Sequence, residues 1–127
     1  IDLMSLVKEI SNIKQSFTQY GGARPFGVSL LFGGVSARPQ LFVTDPTGIF
    51  FEYKATGIGE NEIEIKQILE KEYRESISVV DGIKLGISIL KRVLNKEFDV
   101  DRLDVAYISS KDKQFKRFTK EELQKAK

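Results

Sequence analysis

Four stretches of the chain combine residue types that could do chemistry. Gly57-Ile-Gly59-Glu-Asn-Glu62 stands between a strand-like and a helix-like segment, where a glycine-rich turn can hand a dinucleotide pyrophosphate to a helix N-terminus. The third glycine of that pattern is replaced by Glu62, and Glu60, Glu62 and Glu64 would repel phosphate, so the stretch reads as a structural turn. Gly21-Gly-Ala-Arg-Pro-Phe-Gly27 holds one cation among glycines. It lacks the Gly-Lys-Ser/Thr ending of a phosphate loop and runs from helix to strand, so Arg24 is expected to pair with a carboxylate or a helix C-terminus. Asp99-Val-Asp101-Arg-Leu-Asp104 crowds three carboxylates as a hard-cation loop would, but Leu103 and Asp104 stand where an oxygen ligand and a glycine are needed. It reads as a solvated helix-to-strand loop. Phe115-Lys-Arg-Phe118 interleaves rings and cations in the manner of a single-strand stacking platform. Four residues in a near-neutral chain are better explained by ordinary strand alternation. No catalytic, cofactor-binding or metal-binding residue is assigned from these stretches.

The missing residue types narrow the chemistry further. The sequence has no Cys, no His and no Trp. Disulfides, thiolate nucleophiles, thiolate or imidazole zinc sites and His-dependent triads therefore have no residues here to build them. Carboxylates, Lys, Tyr or a nucleophile activated by an N-terminal amine are what remains for catalysis, and the first residue, Ile1, is not a nucleophile. Twenty basic residues against eighteen acidic ones give a net charge of +2, too balanced to wrap nucleic acid. The balance is uneven along the chain: residues 60–75 carry a net −3 and residues 111–127 a net +4, a sign asymmetry that can steer subunits together or simply mark solvated faces. The most apolar run, Val28 to Val35, is far short of the roughly 20 residues a membrane-spanning helix needs. No Asn-x-Ser/Thr sequon and no leader pattern occur, so the expected location is the cytoplasm and no membrane partner is expected.

Periodicity supplies the elements. Leu3, Leu6, Val7, Ile10, Ile13 and Phe17 recur at helical spacing and predict an amphipathic helix over 3–19, ended by Gly21-Gly22. From Pro25 the period is two. Phe26, Val28, Leu30 and Phe32 share one face, while Gly27, Ser29, Leu31 and Gly33 form a second face that is small or apolar, which predicts a strand covered on both sides. Asp45-Pro-Thr-Gly48 is a type I turn with each residue at its favoured place, leading into a strand over 49–56. Residues 25–57 therefore form an antiparallel three-stranded meander. Ile63, Ile65, Ile68, Leu69 and Tyr73 predict a helix over 61–75. Ser78-Val-Val-Asp81 resembles a capping box opening another helix, with Val80, Ile83, Ile87, Leu90, Val93 and Leu94 along one stripe. Gly82 and Gly86 within it suggest close approach of another backbone. Val105–Ser109 and Gln114–Phe118 form a hairpin, and Thr119-Lys-Glu-Glu122 caps a terminal helix.

The fold class is α+β, with order α-βββ-αα-ββ-α. At 127 residues the length suits one domain, yet the arrangement does not close on itself. A meander apolar on both faces needs helices on one side and more β surface on the other. Two strands near 104–118 are a thin second layer. Strands from a preceding segment, or burial in an oligomer, are expected.

Gly21-Gly-Ala-Arg-Pro-Phe-Gly-Val-Ser-Leu-Leu-Phe-Gly-Gly-Val35, Leu41-Phe-Val-Thr-Asp-Pro-Thr-Gly48 and Tyr53-Lys-Ala-Thr-Gly-Ile-Gly59 resemble the second half of proteasome alpha-type subunits. The similarity continues through Leu69-Glu-Lys-Glu-Tyr73, Asp81-Gly-Ile-Lys-Leu85 and Phe118-Thr-Lys-Glu-Glu-Leu123, and the Tyr53-Lys-Ala-Thr56 and Asp104-Val-Ala-Tyr-Ile108 segments resemble archaeal more than eukaryotic members. The resemblance implies a four-layer α-β-β-α sandwich of the Ntn-hydrolase type, here incomplete, with residues 1–127 as the C-terminal part of a single domain and the N-terminal half absent. It also implies a non-catalytic subunit of the outer seven-membered ring of the core particle. The implied partners are neighbouring alpha subunits, beta-type subunits, an ATPase or other activator, and unfolded protein in transit; no cofactor is implied. Gate residues and the Lys-centred activator pocket lie upstream in the family, so none is carried onto this sequence. Two other readings stay open at this stage: a beta-type or bacterial proteasome-like threonine peptidase lacking its N-terminal half, and a stand-alone oligomeric interaction module.

Overall fold

The computed structural model describes residues 2–19 and 29–126. The order of helices and strands is the one the periodicity predicts, with two added 3₁₀ turns at Asn95–Glu97 and Val100–Arg102. The chain divides into two units, residues 1–54 and 55–127. The predicted Gly21-Gly22 stop, Arg24 and the first residues of the predicted strand lie outside the described residues.

In the first unit, helix α1 spans Leu3–Gln19. Asp2 opens it, its carboxylate accepting from the Ser5 amide at 2.8 Å. Strands β1 (Leu30–Val35), β2 (Pro39–Thr44) and β3 (Phe50–Tyr53) form the antiparallel meander in the order β1-β2-β3. Strand β3 is shorter than the predicted 49–56. Its register with β2 ends at Leu41↔Tyr53; the next two residues would meet Gln40 and then Pro39, which has no amide hydrogen for a ladder. The sequence places its turn correctly. The Gly48 amide donates to the Asp45 carbonyl at 3.1 Å, the Asp45 amide donates to the Ile49 carbonyl at 2.9 Å, and Gly48 takes φ +92°.

The pairing Phe32↔Phe42 and Thr44↔Phe50 puts Leu30, Phe32, Phe42, Thr44 and Phe50 on one face. Gly34 on that face lies against Leu3, so α1 covers it. Phe42 and Thr44 are fully buried there, and the Phe42 and Phe50 rings meet edge to face at 6.2 Å. The buried stripe of α1 runs through Val7 and Ser11, and Ile13, predicted to be on it, is exposed. The turn packs closely on this helix: a Cβ on Gly48 would lie 2.7 Å from the Ser11 carbonyl oxygen and 2.8 Å from Gln15 Cγ. The Gln15 side chain also donates, through Nε2, to the Gly48 carbonyl.

The opposite face carries Leu31, Val35, Leu41, Val43, Phe51 and Tyr53. Within the described residues Leu31 is 42% exposed and Phe51 55% exposed. Among the described residues the expectation of a β1 covered on both sides is therefore met on one side only: Leu31, on its second face, stays exposed.

In the second unit, α2 spans Glu62–Glu72 and α3 Val79–Leu94. Gly59 (φ +99°) and Asn61 (φ 64°) turn the chain into α2. Ser78 caps α3, accepting from the Asp81 amide at 3.1 Å, which is the serine half of the predicted box. Strands β4 (Ala106–Ile108) and β5 (Phe115–Arg117) pair antiparallel, and the Phe118 amide extends the ladder to the Val105 carbonyl. Helix α4 (Lys120–Ala126) has both halves of its capping box: the Glu122 amide donates to Thr119 Oγ1 and the Thr119 amide to the Glu122 carboxylate. Ile87, Val100 and Leu123 form the core, with Ile83, Phe98, Leu103, Val105 and Phe118 packed around it. Ile63, predicted to be on the buried stripe of α2, is 72% exposed, and Val80 of α3 is exposed too. The close approach expected at Gly82 and Gly86 is not made by the described residues: a Cβ at either would have nothing within 4 Å among their atoms.

These glycines give two opposite expectations. Gly48→Ala should lower stability by about 1–3 kcal/mol, because it combines positive φ with a backbone clash. Gly82→Ala should raise stability by about 1 kcal/mol or less, as an ordinary helix-interior gain. Urea unfolding of each variant checks both, and a destabilised Gly82→Ala would show that backbone from elsewhere reaches that face.

Candidate functional site

The Gly57–Glu62 stretch forms a turn. A Cβ at Gly57 would sit 2.9 Å from Ile65 Cγ2, and Gly59 adopts the left-handed region with open space around it. Its glycines thus serve chain reversal and packing on α2.

Asp99, Asp101 and Asp104 do not converge. Asp99 caps the 3₁₀ turn, accepting from the Asp101 amide at 3.0 Å, while Asp104 takes both its hydrogen bonds from the Arg117 guanidinium at 2.7 and 2.8 Å. Arg117 beside it holds the Asp104 carboxyl below the ordinary carboxylate range. No group of three or more metal-ligating acidic side chains occurs among the described residues.

The Phe115–Phe118 stretch is divided by the pleat. Phe115 is 66% exposed, whereas Phe118 turns inward and meets the Tyr107 ring edge to face at 5.5 Å. Its cations are engaged. Lys116 pairs with Asp112 at 2.9 Å and Arg117 with Asp104. A stacking platform needs rings on one side and free cations beside them, and neither condition is met.

The described polar clusters hold elements in place. Glu72 of α2 receives a two-pronged contact from Arg92 of α3 at 2.6 and 3.1 Å, and this guanidinium holds the Glu72 carboxyl low. Arg38 and Gln40 both donate to Glu52 across β2 and β3. Sequence reasoning missed both clusters, because their partners lie 12 to 20 residues apart and follow no short motif. The Asp45 carboxylate organises the β2–β3 turn. Partial burial pushes it up, but hydrogen bonds from the Thr47 hydroxyl and the amides of Ile49 and Thr47 outweigh that and hold it below the ordinary range. None of these groups forms a nucleophile–base pair.

What the residues present instead is surface: apolar strand faces left open, and helices with charged outer sides. None of the described helices is long and apolar enough to cross a membrane.

A family described as proteasome subunit matches residues 1–108, and the chain belongs to that family. Among curated relatives it is 43% identical over 125 residues to the proteasome subunit alpha of Thermococcus sibiricus, an alignment covering 98% of this chain and 48% of the relative. It is 44% identical over 126 residues to the corresponding protein of Methanocaldococcus jannaschii, with the same coverage. The proteasome subunit alpha of Archaeoglobus fulgidus is 42% identical over 123 residues, covering 97% of this chain and 50% of the relative. The chain spans about half the length of the curated relatives it matches.

The Asp45 turn yields a pH expectation. A carboxyl held low in the folded state contributes stability that is complete above its unfolded value, about 3.9, and disappears as pH falls through the folded value. Asp45→Asn should therefore be less stable than the parent near neutral pH, with the gap closing below about pH 4. Thermal unfolding across pH 3–7 measures it, and a gap that persists at the acid end would mean that the charge is not what holds the turn.

Proposed function

We propose that this chain is the C-terminal part of a non-catalytic alpha-type subunit in the outer ring of an archaeal-type proteasome core particle. The observation that carries the reading is the identity of 42–44% to archaeal alpha subunits along nearly the whole chain. The role of such a subunit is assembly: a seven-membered alpha ring, seated on beta-type subunits, that controls admission of unfolded protein and receives an ATPase or other activator in the cytoplasm. Peptide hydrolysis is assigned to the beta-type partners, whose N-terminal Thr supplies nucleophile and base.

Residues 1–127 then belong to one domain, a four-layer α-β-β-α sandwich completed by an N-terminal half of similar length. The open face of β1–β3 supports this. Leu31, Leu41, Val43 and Phe51 form an apolar sheet surface on which Leu31 and Phe51 are exposed and Leu41 and Val43 only partly buried, which is the surface a second sheet would bury.

Two measurements test the proposal. The complete subunit, expressed alone, should form ring-sized assemblies by sedimentation and show no peptidase activity, gaining it only when beta-type subunits are added. A complete subunit that is monomeric under all conditions, or active by itself, overturns the reading. In the same subunit Phe51→Ala should cost about 3–5 kcal/mol, the range for truncating a buried Phe. A loss near 0.5 kcal/mol or less, as at an open surface, would show that the β1–β3 face stays uncovered.

A further inference from the structure

We draw no further inference here: the strongest candidate, the exposed surface patch on α2 where Ile63 stands beside Glu60, Glu62 and Glu64, carries none because nothing in the structure shows what covers it.

Discussion

A β-sheet has two faces, and one that is apolar on both must find cover twice. Most of this chain's architecture follows from that requirement being met once. Helix α1 seals one face of β1–β3, burying Phe42, Thr44 and Val7 completely. In the second unit Ile87, Val100 and Leu123 gather the elements around the β4–β5 hairpin into a core, and Val105 and Phe118 pack onto it. The other face of β1–β3 keeps Phe51 and Leu31 in the open. Burying such a side chain fully is worth about 1.5–3 kcal/mol, so leaving several uncovered is a large fraction of the marginal stability of a domain. A sheet apolar on both faces and covered on one leaves apolar area that a second layer would bury.

The distribution of polar contacts fits the same picture. Arg92 and Glu72 clamp α2 to α3, Arg117 and Asp104 brace the β4–β5 hairpin, and Arg38, Gln40 and Glu52 tie neighbouring strands. The ion-paired side chains among these are substantially exposed, where such pairs contribute little to global stability. They hold surfaces in shape, a different task from poising a reacting group.

Legibility in the sequence depended on distance along the chain. The Asp45–Gly48 turn, the Ser78 cap and the Thr119–Glu122 box were readable because donor and acceptor lie within four residues of each other, so local chemistry decides the geometry. The family resemblance, too, is carried by the sequence itself. Periodicity erred where burial is decided by a remote partner. It counts Ile13 and Ile63 as inward because they are apolar, but the inward position of α1 goes to Ser11, whose carbonyl meets Gly48 far along the chain. Gly82 and Gly86 carry the same lesson: a glycine in a helix signals room for a neighbour without saying whether that neighbour is in this chain. Of the four candidate chemical stretches, the three that can be described in full dissolve into a turn, a cap and a strand. The fourth falls in residues 20–28.

The Gly48 contact has a bearing on how this fold can vary. Because Asp45, Gly48 and the Ser11–Gln15 segment of α1 meet at one point, the β2–β3 connection cannot gain or lose a residue without moving the left-handed position away from the helix that needs it there. The Ser36–Arg38 connection at the other end of β2 is closed by its own hydrogen bond, from the Ser36 amide to the Arg38 carbonyl. The left-handed glycine is thus the pivot of the meander, the point where hairpin and helix constrain each other's length.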